Sequence, residues 1–180
     1  LRGAGIEPQV VVSGVDEDFE HADVREIVLE LARRKARAVA AGFDDALVLG
    51  CDSLFLQHGE IHGKPSSAEQ AREWWHAMRG SHGTLFTGHH LIDVARARDA
   101  EAVVASTVYF ASPDDDEIDR YIASGEPLRV AGAFSIDGFA APFVERIDGE
   151  PSNVEGLSLS CLRRLFRELD ASLLELWDAK

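Results

Sequence analysis

Four side chains in this 180-residue sequence combine a chemical type and a position that could support chemistry: Asp52, Lys64, Lys35 and Glu17. Asp52 follows an apolar run, Ala46-Leu47-Val48-Leu49, and then Gly50-Cys51. Such a run predicts a strand buried on both faces, and a carboxylate at its carboxyl end lies where open α/β sheets bind ligands. A short hairpin around His58-Gly59 is expected to return Lys64, in Gly63-Lys64-Pro65, toward that carboxylate. Lys35 falls in the middle of an apolar helical stripe, where an ammonium is costly unless it meets an anion. Glu17 sits in Asp16-Glu17-Asp18, just after a β-rich segment. Two lysines that hold phosphate oxygens, a carboxylate that binds a divalent ion and one that activates water would suit phosphoryl or nucleotidyl chemistry. From spacing alone, a turn-capping aspartate, a snorkelling lysine and a solvated acidic loop remain open alternatives.

Other chemistries lack their signatures. The sequence has no Walker loop, no GxGxxG, no CxxC pair and no Gly-x-Ser-x-Gly. His58 and His62, and the pair His89-His90, match no strong zinc spacing and read as turn or strand-surface histidines. The run Asp114-Asp115-Asp116 reads as a helix start, favourable to the positive end of the helix dipole.

The elements that must position these groups follow from periodicity. Residues 1–5 read as a helix tail stopped by Gly3 and Gly5, and residues 9–15 (QVVVSGV) as a strand. Residues 24–41 form the longest helical pattern, with Val24, Ile27, Val28, Leu31 and Val39 on the face that also carries Lys35. Arg33 and Arg37 point from it toward water. The box Ser66-Ser67-Ala68-Glu69 starts a second helix, whose buried face is Ala71, Trp74, Trp75 and Met78. Residues 84–94 and 103–110 suit an antiparallel pair. A helix follows Ser112-Pro113, residues 131–136 and 139–147 read as strands, 148–156 as a loop and 159–169 as a last helix. This order predicts an α/β chain in one domain: a twisted mixed β-sheet with flanking helices.

Composition narrows the partners. A net charge of −14 argues against nucleic-acid polymers and anionic membranes, while allowing a small polyanion in a locally basic cleft. Two cysteines in apolar contexts, Cys51 and Cys161, suggest no disulfide framework and a cytoplasmic setting. No apolar run approaches the roughly 20 residues that a spanning helix needs.

Several segments together resemble the Maf family of nucleoside triphosphate pyrophosphatases. They are Ala4-Gly5-Ile6, Val15-Asp16-Glu17, Leu31-Ala32 with Lys35-Ala36, Asp52 with the following hydroxyl residue, and Gly63-Lys64-Pro65. Downstream come Thr87-Gly88, Thr107-Val108 with Phe110, Tyr121, Glu126-Pro127, Ala131-Gly132, Asp148-Gly149, and Asn153-Val154 with Gly156-Leu157. The resemblance spans the whole chain in order. It implies two lobes around a deep cleft, a homodimer, and hydrolysis of a nucleoside triphosphate to a monophosphate and pyrophosphate with Mg²⁺ or Mn²⁺. It implies Asp52 as general base, Lys35 and Lys64 on the phosphates, and Glu17 with Asp52 on the ion. Ser53 and Asp137 match positions linked to base choice, and Thr87 and Gly88 fall among the substrate-binding residues. A nucleotide-binding regulator of cell division, without turnover, is the competing expectation. The family's opening strand and its Ser-x-Ser-x-x-Arg-like loop would precede Leu1, so an upstream extension is expected to raise activity.

Overall fold

A computed structural model of the chain describes residues 1–19 and 21–177. A five-stranded antiparallel sheet has the order β2-β1-β3-β4-β5, with β1 Leu47–Gln57, β2 Glu60–His62, β3 His82–Asp93, β4 Arg98–Phe110 and β5 Val144–Asp148. The helices are α1 Val24–Ala40, α2 Ala68–Met78, α3 Asp115–Ala123, α4 Pro151–Val154 and α5 Leu159–Glu168. Helices and strands thus mix as expected. The strand sense is antiparallel where a mixed sheet was expected, because tight turns rather than helical crossovers join β1 to β2 and β3 to β4. His58 and Gly59, with φ of 51° and 86°, make the first of those turns.

The residues group into two compact units. One comprises residues 1–52, 88–103 and 159–180, the other residues 53–87 and 104–158. In the first unit, Asp23 caps α1 by accepting from the Arg25 N–H, and Val24, Ile27, Val28, Leu31, Ala32 and Ala36 are buried along one face. The first unit also holds a hollow of about 660 Å³ whose lining includes Val10, Val39, Phe43, Leu47, Leu91 and Phe166. In the second unit the core is aromatic. Phe55 and Trp75 meet Phe110 edge-on at 5.9 and 5.7 Å, and the Trp75 indole donates to the Ala133 carbonyl at 2.9 Å.

Several local expectations shift. Residues 9–15 form no strand, and Val10 and Val12 are 79% and 90% exposed. Their β propensity finds no ladder partner among the described residues, and propensity without pairing is weak. Residues 131–136 are not a strand either. Ala131–Ala133 is a 3₁₀ turn with Gly132 at φ 68° and Ala133 at φ 61°, a conformation closed to a pleated strand. The cap of α2 lies one residue later than predicted, at Ser67, and Gln70 rather than Glu69 reaches back to the Ser66 N–H.

Two glycines set how α1 meets the sheet. A Cβ on Gly50 would stand 2.3 Å from the Ala32 carbonyl oxygen and 2.7 Å from the Ala36 nitrogen, and one on Gly88 would stand 2.2 Å from the Val28 oxygen. These neighbours are helix backbone and cannot step aside. Gly50→Ala is therefore expected to destabilise by about 1–3 kcal/mol. In a chain of this size that lowers the melting temperature by about 2–4 °C per kcal/mol. Gly3→Ala, with nothing near its Cβ position, should leave the melting temperature unchanged and serves as the control in the same thermal scans.

Candidate active site

Strand period and helix contact together build the first cluster. Residues two apart on a strand share a face, so Asp52 points the same way as Gly50, toward α1. Lys35 is the neighbour of Ala36, which packs at Gly50, and its Nζ lies 2.6 Å from Asp52 Oδ1. The same Nζ lies 2.6 Å from Glu17 Oε1. Side-chain exposures of 11% for Asp52, 23% for Lys35 and 54% for Glu17 order the three from the interior outward. Burial alone would lower the Lys35 pKa, but the hydrogen bonds and charges of Asp52 and Glu17 outweigh it and hold it above its ordinary value of 10.5.

The loop carrying Glu17 is held by a neighbour of Lys35 that sequence reasoning passed over. Arg34 donates through Nη1 to the carbonyls of Asp16 and Asp18, at 3.5 and 3.3 Å, and its guanidinium lies 4.9 Å from the Phe19 ring centroid. The Asp18 N–H closes the turn on Asp16 Oδ1 at 2.9 Å. Arg33, expected to point to water, is instead engaged by Glu101 through Nε to Oε2 at 2.6 Å, while Arg37 is exposed as expected.

Asp52 is not at a strand end. β1 continues five residues beyond it, to Gln57, because the backbone stays extended through Gly50-Cys51-Asp52-Ser53. The run ahead of it is buried at Val48 and Gly50 but exposed at Leu47, so the strand is not covered on both faces there. Beside Asp52, burial pushes the Cys51 thiol up to about 12, which disfavours a thiolate near neutral pH.

The second unit holds the other predicted residues. Lys64 is exposed, on a loop fixed by the Gly132 N–H donating to the Gly63 carbonyl at 2.9 Å. Thr87 is fully buried and donates its hydroxyl to the Asn153 carbonyl at 3.2 Å. Its other contact, 2.8 Å to Ser53 Oγ, then requires Ser53 to be the donor. Ser53 thereby has its one proton committed and its lone pairs left for a ligand. Asn153, quoted in the sequence only as part of a motif, is the anchor of this chain. It is 0% exposed and donates to Ser106 Oγ at 3.2 Å and to the Leu85 carbonyl at 3.4 Å.

Asp137 is exposed and accepts from Ser135 Oγ. Its loop is tied by Glu126, which accepts from the Phe139 N–H at 3.0 Å and from the Tyr121 hydroxyl at 2.9 Å. Gly88, in the first unit, is a packing glycine against Val28. His89 and His90 are buried rather than on the strand surface, at 0% and 1% exposure.

The first cluster fixes an ammonium between two oxygen-donor acids, and two convergent carboxylates of this kind suit a hard divalent cation. The sequence model of the family described as "Maf-like protein" matches residues 1–169. A relative from Salinispora tropica is 52% identical over 183 aligned residues, covering 98% of this chain and 81% of its own length. One from Streptomyces avermitilis is 51% identical over 180 residues, covering 98% and 87%, and one from Rippkaea orientalis is 45% identical over 181 residues, covering 100% and 88%. All three are named nucleoside triphosphate pyrophosphatase. The chain belongs to the Maf-like protein family.

The raised Lys35 pKa gives a signed test. A lysine whose folded pKa exceeds its unfolded value contributes stability that is complete below the unfolded value and is lost as pH rises through the folded one. The difference in urea midpoint between the wild type and Lys35→Met is expected to stay constant from about pH 7 to about pH 10, then to shrink. A difference that grew with alkalinity would contradict the ion-pair account of Lys35.

Proposed function

We propose that this chain hydrolyses a nucleoside triphosphate to the nucleoside monophosphate and pyrophosphate. The observation that carries the reading is the Lys35 ammonium, 2.6 Å from both Asp52 and Glu17, in a chain of this family. Asp52, the least exposed of the three, is the general base. It takes a proton from a water whose oxygen bonds to the α-phosphorus, while the bond from that phosphorus to the bridging oxygen breaks and pyrophosphate leaves. Lys35 and Lys64 hold phosphate oxygens and offset charge on the leaving group. Glu17 and Asp52 are the residues that would hold Mg²⁺ or Mn²⁺, which supplies charge neutralisation and a more acidic bound water. Cys51 is given no role, since burial favours its protonated thiol.

Ser53 and Asp137 are assigned to the base, with Thr87 holding Ser53 from the buried side and Gly88 keeping β3 against α1. Since Ser53 has lone pairs but no spare proton, it suits an N–H donor on the base edge. The same reading gives the protein a cytoplasmic house-cleaning role on surplus or non-standard nucleotides, as a homodimer. Its free cysteines suit that compartment, and among the described residues no helix is long and apolar enough to cross a membrane.

Asp52→Asn is expected to cut pyrophosphate release by about 10²–10⁴-fold, with an unchanged circular dichroism spectrum. A variant that kept half the activity would remove Asp52 from the base role. Product chromatography after a single turnover is expected to show monophosphate and pyrophosphate, and a diphosphate product would overturn the bond assignment.

A further inference from the structure

The first unit contains a second convergence of ligating atoms that the proposed reaction does not use. His90 on β3 and Asp99 and Glu101 on β4 each offer one atom, and the three atoms all lie within 4.8 Å of one another. Asp99 and Glu101 are two apart on a strand and therefore share a face. His90 reaches them from the neighbouring strand, its Nε2 3.0 Å from Asp99 Oδ2. The imidazole is 1% exposed, so strand packing rather than solvent fixes its direction. Arg33 holds the Glu101 carboxyl below its ordinary value, which keeps it ionised near neutral pH.

We propose that His90, Asp99 and Glu101 form a binding site for a divalent transition-metal ion, separate from the Glu17–Lys35–Asp52 cluster. One imidazole with two carboxylates is a mixed nitrogen and oxygen set, which suits Zn²⁺, Co²⁺ or Mn²⁺ better than Ca²⁺. The Nε2 to Oδ2 separation of 3.0 Å matches an octahedral edge for ligands about 2.1 Å from one ion, and a tetrahedral edge of about 3.4 Å needs only a small movement of the exposed Asp99. Charge favours a cation as well. The site's two carboxylates outnumber the one guanidinium that engages it, at Glu101, and Glu30, 3.7 Å from Arg33, draws further on that charge.

Two features set the strength. Among the described residues His90 Nδ1 has no hydrogen-bond partner, and a ligating imidazole lacking an outer acceptor loses about 10–100-fold in affinity. Arg33 also competes for the oxygens of Glu101. The site is therefore a weak, exchangeable one that ties β3 to β4, and Arg33 acts as its built-in competitor.

The test uses the metal-free full chain carrying Glu17→Gln, so that the other carboxylate cluster is weakened as a ligand. Titration with Co²⁺, read by its ligand-field absorption, is expected to show one equivalent that Zn²⁺ displaces. Adding Asp99→Asn should abolish the band, and adding His90→Gln should do the same. Asp99 is 56% exposed, so its Asn variant keeps the fold even where the buried His90 variant does not, and a melting scan checks this. Adding Arg33→Gln instead should tighten binding by about tenfold, by releasing Glu101. Co²⁺ uptake by the Asp99→Asn protein with unchanged affinity, or no uptake by the Glu17→Gln protein at millimolar Co²⁺, overturns the proposal. Nucleotide hydrolysis enters none of these readouts, so failure here and failure of the proposed reaction are told apart.

Discussion

The Lys35 ammonium is what the first unit is arranged around. Placing it among Val28, Leu31, Ala32 and Ala36 on the buried side of a helix costs desolvation, and the cost is met only because two carboxylates arrive from elsewhere in the chain. That arrival depends on distance. Lys35 reaches Asp52 because α1 lies almost against the β1 backbone, and α1 lies there because position 50 has no side chain. With a methyl group at Gly50 or Gly88 the helix would have to stand off, and a 2.6 Å contact between a lysine and a strand residue would lengthen or swing away. The glycines thus act on the site through helix position, although neither touches a phosphate in any step proposed above.

The second unit solves the same placement problem without charge. Ser53 is oriented by Thr87, Thr87 by the Asn153 carbonyl, and Asn153 by Ser106 and the Leu85 carbonyl. Each link is a neutral hydrogen bond, and at the buried Thr87 and Asn153 an unmade bond is expensive, which restricts their rotamers. An ion pair tolerates some motion along its axis. A buried hydroxyl chain tolerates little, which suits discrimination between donor and acceptor edges more than it suits holding a polyanion.

Much of this was legible in the sequence, and the failures share a cause. The 3.6-residue period of α1 put Lys35 in an apolar stripe, and that conflict alone marked it against Arg33 and Arg37. Helix starts at Asp23 and Ser67 follow from local side-chain chemistry and came out within a residue, while the start expected at Ser112-Pro113 lies two residues later, where Asp114 caps α3. What local chemistry could not supply was pairing. Residues 9–15 have the composition of a strand but no ladder partner among the described residues, and residues 131–136 have it but turn at Gly132 and Ala133. Gly50 suggested a close approach without saying that the strand would run on past Asp52. The Arg34 and Glu101 contacts join residues 16 to 68 positions apart, and no pattern in a single sequence points to such pairs.

Electrostatics adds a constraint on the proposed reaction. The protein carries a net charge of −14, and many of its cations are already engaged: Arg33 with Glu101, Arg72 with Asp119, Arg79 with Asp115, Arg98 with Asp170, and Lys35 with two acids. A bare triphosphate approaching such a surface is repelled at long range, although screening at physiological salt confines that repulsion to about 8 Å. A triphosphate that arrives with a divalent ion carries less net charge and brings the cation that Glu17 and Asp52 are suited to share. Lys35 could then turn from one carboxylate to a phosphate oxygen without leaving an acid unpaired. On the reaction proposed above, Glu17 and Asp52 would hold the ion, whose charge would offset the acids that Lys35 neutralises here.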